Sequence, residues 1–143
     1  MFKSSPMRHR GAGESVGVRY RSHLEAARIV NHGMPFRAVG RFQKASGLTL
    51  EEIKQAARIS EGSFSRRRQS GRLSQEESER LLRVSSLFEK AEELFGDRDE
   101  ARQWLQTPIP ALGDQRPLDL AQTEPGAREV EDLNGRIGHG VIS

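Results

Sequence analysis

The stretch Gly62 to Leu82, GSFSRRRQSGRLSQEESERLL, sets three arginines in a row, breaks at a glycine and then turns acidic. Those side chains suit a polyanion. Arginine pairs bidentately with guanine and glutamine with adenine, while serines and further arginines hold phosphates. Arginine runs on soluble proteins are also solvated helix faces, so Arg66, Arg67 and Arg68 decide nothing until the surrounding elements are placed. Other chemistry finds less material. His9, His23, His32 and His139 lack the paired i, i+4 spacing of a helical metal site, and there is no cysteine to assist them. Serine, histidine and aspartate occur without a nucleophile elbow, and Gly113-Asp114 lacks the spacing of a phosphate cradle. The expectation is a protein with no catalytic residues, no metal and no cofactor.

The chain of 143 residues is long enough for one compact domain or two small ones sharing a core. Hydrophobic residues make up 34% and charged residues 30%, which suits a heavily solvated helical protein. No run approaches the roughly 18 apolar residues of a membrane span, and no apolar signal core opens the chain. A soluble, cytoplasmic protein is expected. The net charge of +3 conceals an asymmetry: residues 1–72 carry 15 Lys+Arg against 5 Asp+Glu, and residues 73–143 carry 8 against 15. One half can concentrate near a polyanion that repels the other.

Apolar residues recur at helical spacing along most of the chain, and no stretch alternates with period two. The fold class expected is therefore all-α. Residues 1–18 lack periodicity and read as a disordered basic arm. Leu24, Ala27, Ile29 and Val30 form one side of a first helix that Gly33 stops. Phe36, Val39 and Phe42 line a second, over Pro35 to Ala45. Thr49-Leu50-Glu51-Glu52 is a capping box opening a third helix, with Leu50, Ile53 and Ala57 inward. Ser60 caps a fourth, Glu61 to Gln69, which Gly71 closes. Ser74-Gln75-Glu76-Glu77 is a second capping box, and the longest helix follows it. Its stripe of Leu81, Val84, Phe88, Ala91 and Phe95, widened by Leu87 and Leu94, looks excessive for one small domain and suggests a dimer seam. A short helix from Asp99 to Gln106, a proline-marked connection from Thr107 to Pro117, and a last helix capped by Thr123 complete the chain. Ala127, Val130, Leu133 and Ile137 face inward on that last helix.

The third and fourth helices with their tight turn at Arg58-Ile59-Ser60 make a helix-turn-helix unit. Ile53 and Ala57 hold the first helix, Ile59 plugs the turn, and Phe64 anchors the second from inside. The expected DNA-contacting set is Lys54, Ser63, Ser65, Arg66, Arg67, Arg68, Gln69 and Arg72. Three positions depart from the usual motif: Lys54 where a small residue is common, Arg58 where glycine eases the turn, and Arg67 where an apolar residue often packs. The same frame also serves packing alone in small helical domains, and both readings stay open on these residues.

The downstream half carries more specific signals. Gly71-Arg72-Leu73-Ser74, Glu77-Ser78, Arg80-Leu81 and Phe95-Gly96 lead into Trp104-Leu105, Pro108, Pro110-Ala111-Leu112-Gly113 and Pro117-Leu118-Asp119-Leu120. Thr123, Gly126, Val130, Leu133, Ile137 and Gly140 follow. In these motifs the chain closely resembles the Xre/ParS/MbcA family of type II antitoxins, over about residues 22–143. Ala121-Gln122 and Asn134-Gly135 depart from the pattern, and Gly135 costs its helix roughly 1 kcal/mol relative to alanine.

The resemblance implies an N-terminal helix-turn-helix domain of the Cro/Xre type, over residues 19–72, followed by a helical dimerisation and toxin-binding domain over residues 73–143. It implies that the partner is a RES-domain toxin that consumes NAD or transfers its ADP-ribose, and that the antitoxin covers the toxin's active site. It further implies binding to the operon's own promoter DNA, usually as a dimer. An inhibitor of such a toxin needs a thin element able to enter or cap a pocket, so the expected toxin contacts are Leu133, Arg136, Ile137, Gly138, His139, Gly140 and Val141. Arg136 there fills an anionic contact or mimics the cationic nicotinamide ring. A frayed terminus with a solvated Arg136 is the plainer alternative. At the level of the whole protein, the alternative is a stand-alone helix-turn-helix regulator without a toxin partner.

Overall fold

The computed structural model describes residues 11–140, and among them the secondary structure is helical with no named strand. Eight α-helices follow in order: α1 (His23–His32), α2 (Arg37–Ser46), α3 (Leu50–Ala56), α4 (Glu61–Ser70), α5 (Gln75–Phe95), α6 (Arg98–Gln106), α7 (Pro117–Leu120) and α8 (Glu124–Gly138). The two capping boxes form as the sequence implies. Thr49 Oγ1 accepts the Glu52 amide at 3.1 Å while Glu52 reaches back to the Thr49 amide, and Ser74 and Glu77 do the same for α5. Ser22, Ser60 and Thr123 each cap their helix by accepting an amide three residues on.

The long helix α5 is the axis of the molecule. Leu81, Val84, Leu87, Phe88 and Ala91 are all completely buried, packed by α1, α2 and α3 toward one end and by α6 and α8 toward the other. Phe88 meets Phe42 of α2 edge-on, with ring centroids 5.8 Å apart. This packing corrects the seam expected along α5. Its stripe from Leu81 to Ala91 is consumed within one chain, because helices from both halves need it to complete a single core, while Leu94 and Phe95 at its end are partly buried. Polar contacts interlock the halves as well: Gln106 donates to Glu52 at 3.0 Å, and Arg98 to the Lys44 carbonyl at 2.9 Å.

The N-terminal expectation is corrected over residues 11–18, while residues 1–10 lie outside the described residues. A 3-10 turn, Glu14–Val16, sits against α2 and α5 with Ser15 and Val16 fully buried. Its anchor is Glu89, whose carboxylate accepts the Gly13 amide at 3.2 Å, the Ser15 amide at 3.1 Å and the Ser15 hydroxyl. Gly13 holds φ at 85°, and a Cβ there would overlap the Val18 carbonyl.

The first helix also departs from expectation. No residue of α1 is fully buried, and it packs on α5 through Ala26, Ile29 and Val30. Leu24 and Ala27 point outward, Leu24 with 61% of its surface exposed. The connection after α6 holds a 3-10 turn, Pro110–Leu112, and leads into α7. Asp119 of α7 takes a two-pronged ion pair from Arg116 at 2.8 and 2.9 Å, while Leu118 is buried.

Candidate functional site

The helix-turn-helix unit is α3 and α4. Ile53 and Ala57 are completely buried, Ile59 is 5% exposed in the turn, and Phe64 is 6% exposed on the inner side of α4. Arg58 adopts φ 56°, the left-handed region where glycine is at ease, so the turn closes at a strain cost of order 1 kcal/mol. Backbone bonds then tie the chain beyond α4 to the chain before α2. The Phe36 amide donates to the Gly71 carbonyl and the Leu73 amide to the Met34 carbonyl, at 2.9 and 2.8 Å.

These constraints split the expected DNA contacts into two groups. Ser65, Arg66, Arg68 and Gln69 are exposed on the outer face of α4, and Ser63 stands at its edge, accepting from Arg66 at 3.1 Å. Arg68 lies against the aromatic pair beneath it, 5.2 Å from the Phe64 ring centroid and 6.0 Å from that of Phe36.

Lys54, Arg67 and Arg72 form the second group, each donating to an acceptor within the protein, and of the three only Arg72 stays exposed. Lys54 is buried, with its ammonium 4.7 Å from the Phe64 ring centroid and paired to Glu61 and Glu51. The Glu61 carboxylate, against an opposing effect of burial, holds that ammonium above its ordinary range. Arg67 turns toward α5 and donates through Nε to Glu77 at 2.8 Å. Arg72 donates through Nη1 to the Gly33 carbonyl at 2.7 Å. Each of these cations already has a protein acceptor, with which a phosphate would have to share it.

Burial pushes the Glu77 carboxyl up, but the Arg67 guanidinium and the Ser74 cap outweigh it and leave the group below the usual glutamate range. One turn along, Arg80 donates to the Ala57 carbonyl at 2.7 Å, satisfying the end of α3. Burial, then the neighbouring Arg58, lowers the Arg80 guanidinium from its usual value. Both helices of the unit are thus gripped by consecutive turns of α5. Sequence periodicity has no means of finding this grip, because Glu77 and Arg80 also read as ordinary surface residues of a capped helix.

The far end of α5 holds a second feature. Phe95 and Trp104 lie with ring centroids 5.9 Å apart, and with Ile109, Ala111, Leu133 and Ile137 they line an open groove of about 590 Å³. Glu100, Gln103 and Thr107 stand on its α6 side. Two of the expected toxin contacts, Leu133 and Ile137, therefore share this groove, a grouping that spacing along the chain does not reveal. Arg136 is half-buried beside them. Gly138 is the last residue of α8, His139 and Gly140 form an exposed turn, and Val141 lies outside the described residues. The thin tail expected from residue 138 therefore starts at least one residue later, because α8 continues through Gly138.

Among the described residues no His, Asp and Glu cluster is arranged to hold a metal, and no helix is long and apolar enough to cross a membrane. Residues 25–86 match the family model of the antitoxin Xre-like helix-turn-helix domain, and residues 90–140 that of the antitoxin Xre/MbcA/ParS C-terminal toxin-binding domain. An antitoxin Xre of Photorhabdus laumondii is 39% identical over 123 residues, covering 85% of this chain and 82% of its own. One from Yersinia enterocolitica is 47% identical over 94 residues, 64% of each chain. One from Pseudomonas putida is 31% identical over 68 residues, 48% of this chain and 43% of its own.

Proposed function

The chain belongs to the Xre antitoxin family, and from that premise we propose that it neutralises a RES-domain toxin through its C-terminal half and represses its own operon through α4. The observation that carries this reading is the placement of two unlike surfaces on one rigid axis. The cationic face of α4 is clamped at Glu77, and the apolar groove begins at Phe95. Those residues are about 27 Å apart along α5 at 1.5 Å per residue. A promoter and a protein partner can be held together at that separation without competing for one surface.

The DNA-reading set is Ser63, Ser65, Arg66, Arg68 and Gln69, with Arg67 and Arg72 positioning the helix. The toxin-reading set is Leu133, Arg136, Ile137, Gly138, His139, Gly140 and Val141, which cover the NAD site of the toxin. The protein acts in the cytoplasm and as a homodimer, since a palindromic operator needs two recognition helices about one DNA turn apart. With the α5 stripe consumed, the outer face of α1 around Leu24 is the surface that favours self-association.

Truncation after Asn134 tests the reading. The shortened chain keeps α1 to α7, so promoter binding survives in a band-shift assay while rescue of toxin-expressing cells is abolished. Full rescue by the truncated chain would move the toxin-binding surface elsewhere, and the absence of any rescue by the intact chain would leave a stand-alone regulator.

A further inference from the structure

The groove at the end of α5 is apolar, yet it is open. Phe95, Trp104, Ile109 and Ile137 pack against the core only in part, leaving one flank of each toward the concavity. Its volume of about 590 Å³ is in the range that takes one or two large side chains. Every lining residue lies between 95 and 137, inside the segment that matches a toxin-binding domain.

The segment that builds it is net acidic. Residues 90–140 carry 6 Lys+Arg against 11 Asp+Glu, a balance of −5. Five of those six cations already have partners within the protein: Lys90 has Glu131, Arg98 and Arg102 share Asp99, Arg116 has Asp119 and Arg128 has Glu124, which leaves Arg136 beside Ile137. Glu100 lines the groove itself, and exposed Asp132 adjoins Leu133; neither has an ion pair among the described residues. An apolar recess with acidic edges complements an apolar side chain flanked by cations.

We propose that this groove receives an aromatic or leucine-sized side chain carried on a basic stretch of the toxin. The interface then runs both ways: the end of α8 reaches into the toxin while the toxin inserts an anchor beside Trp104. This rests on the antitoxin reading above, and it adds a surface of α6 and the following loop that no tail contact requires. The match of the whole lining segment to a toxin-binding domain favours a toxin segment over two other occupants, the chain's own basic residues 1–10 and a second copy.

The test uses the intact chain co-expressed with the product of the adjoining reading frame. Ala111 and Gln103 are exposed, so Ala111→Arg and Gln103→Arg each fill the groove from a different element without opening the core. Both variants are expected to keep wild-type melting and promoter binding while toxin affinity falls at least tenfold. Glu100→Lys, which leaves the groove open, is expected to lower affinity several-fold, and less so at high salt. Wild-type toxin affinity in both arginine variants would overturn the groove proposal and leave the antitoxin function standing. Failure of the intact chain to bind or neutralise that product would instead sink the reading beneath it. Trp104 is the chain's single tryptophan, and its emission reports the groove directly. A shift in that emission on deleting residues 1–10 would make the arm the occupant, and conversion of a dimer to a monomer by Ala111→Arg would make it a second copy. Either result overturns the proposal.

Discussion

Nε of Arg67 lies 2.8 Å from Oε1 of Glu77, and the same oxygen accepts the Ser74 amide at 2.9 Å. One carboxylate therefore closes the capping box of α5 and clamps α4. Glu77 is 4% exposed, so its charge depends on both partners. Replacing it with alanine removes the carboxylate half of the capping box and strands Arg67, at a cost of about 3 kcal/mol in chemical denaturation. Glutamine still accepts the Ser74 amide, and Glu77→Gln costs about 1 kcal/mol. The two variants also differ from wild type in pH dependence. Because the folded carboxyl titrates below the ordinary glutamate value, about 4.3, its stabilisation is complete above that value and disappears as pH falls through the folded pKa. Wild type should lose its advantage over Glu77→Gln in that acid window and nowhere above it.

Arg66 and Arg68 divide what the triplet does. Replacing both with alanine should weaken promoter binding several-fold and flatten the log–log salt dependence by roughly 0.9 for each phosphate that is no longer neutralised. Only the Arg68 change should touch stability, by about 0.5 kcal/mol, since its guanidinium lies over Phe64. An unchanged salt slope would leave α4 as a packing helix.

Local chemistry is legible in the sequence and tertiary direction is not. Thr49 with Glu52, and Ser74 with Glu77, announce helix starts because a cap is satisfied within four residues. The inward set of Ile53, Ala57, Ile59 and Phe64 follows from spacing alone. The motif marks Arg67 as standing at a packing position, but its acceptor, Glu77 on another helix, is set by tertiary structure and not by spacing. Residues 11–18 look structureless because their anchor, Glu89, lies more than seventy residues away. Periodicity points Leu24 inward, yet α1 is a surface helix whose inner stripe is carried by Ala26, Ile29 and Val30.

Asn134 is buried in α8, and neither atom of its amide meets a partner within the protein. Such a group gives up hydration without replacement, at about 1–3 kcal/mol. Asn134→Leu should accordingly raise stability by about 1 kcal/mol in a urea titration. A fall in stability would mean that a buried water satisfies the amide.

Two glycines of α8 should respond in opposite directions to alanine. A Cβ at Gly126 would stand 2.1 Å from the Leu120 carbonyl oxygen, so α7 and the first turn of α8 meet there only because the side chain is absent. The obstacle is backbone, which cannot rotate away, and Gly126→Ala should cost about 3 kcal/mol. Gly135 is exposed, its φ lies outside the left-handed range, and a Cβ there meets nothing within 4 Å. Gly135→Ala should gain about 1 kcal/mol, or roughly 3 °C in melting temperature. The pair also separates the two ends of the molecule. Gly126→Ala displaces α8 from the groove while leaving α1 to α4 untouched, so toxin capture should fall with promoter affinity unchanged. A parallel fall in promoter affinity would show that α7 and α8 also set the position of α4.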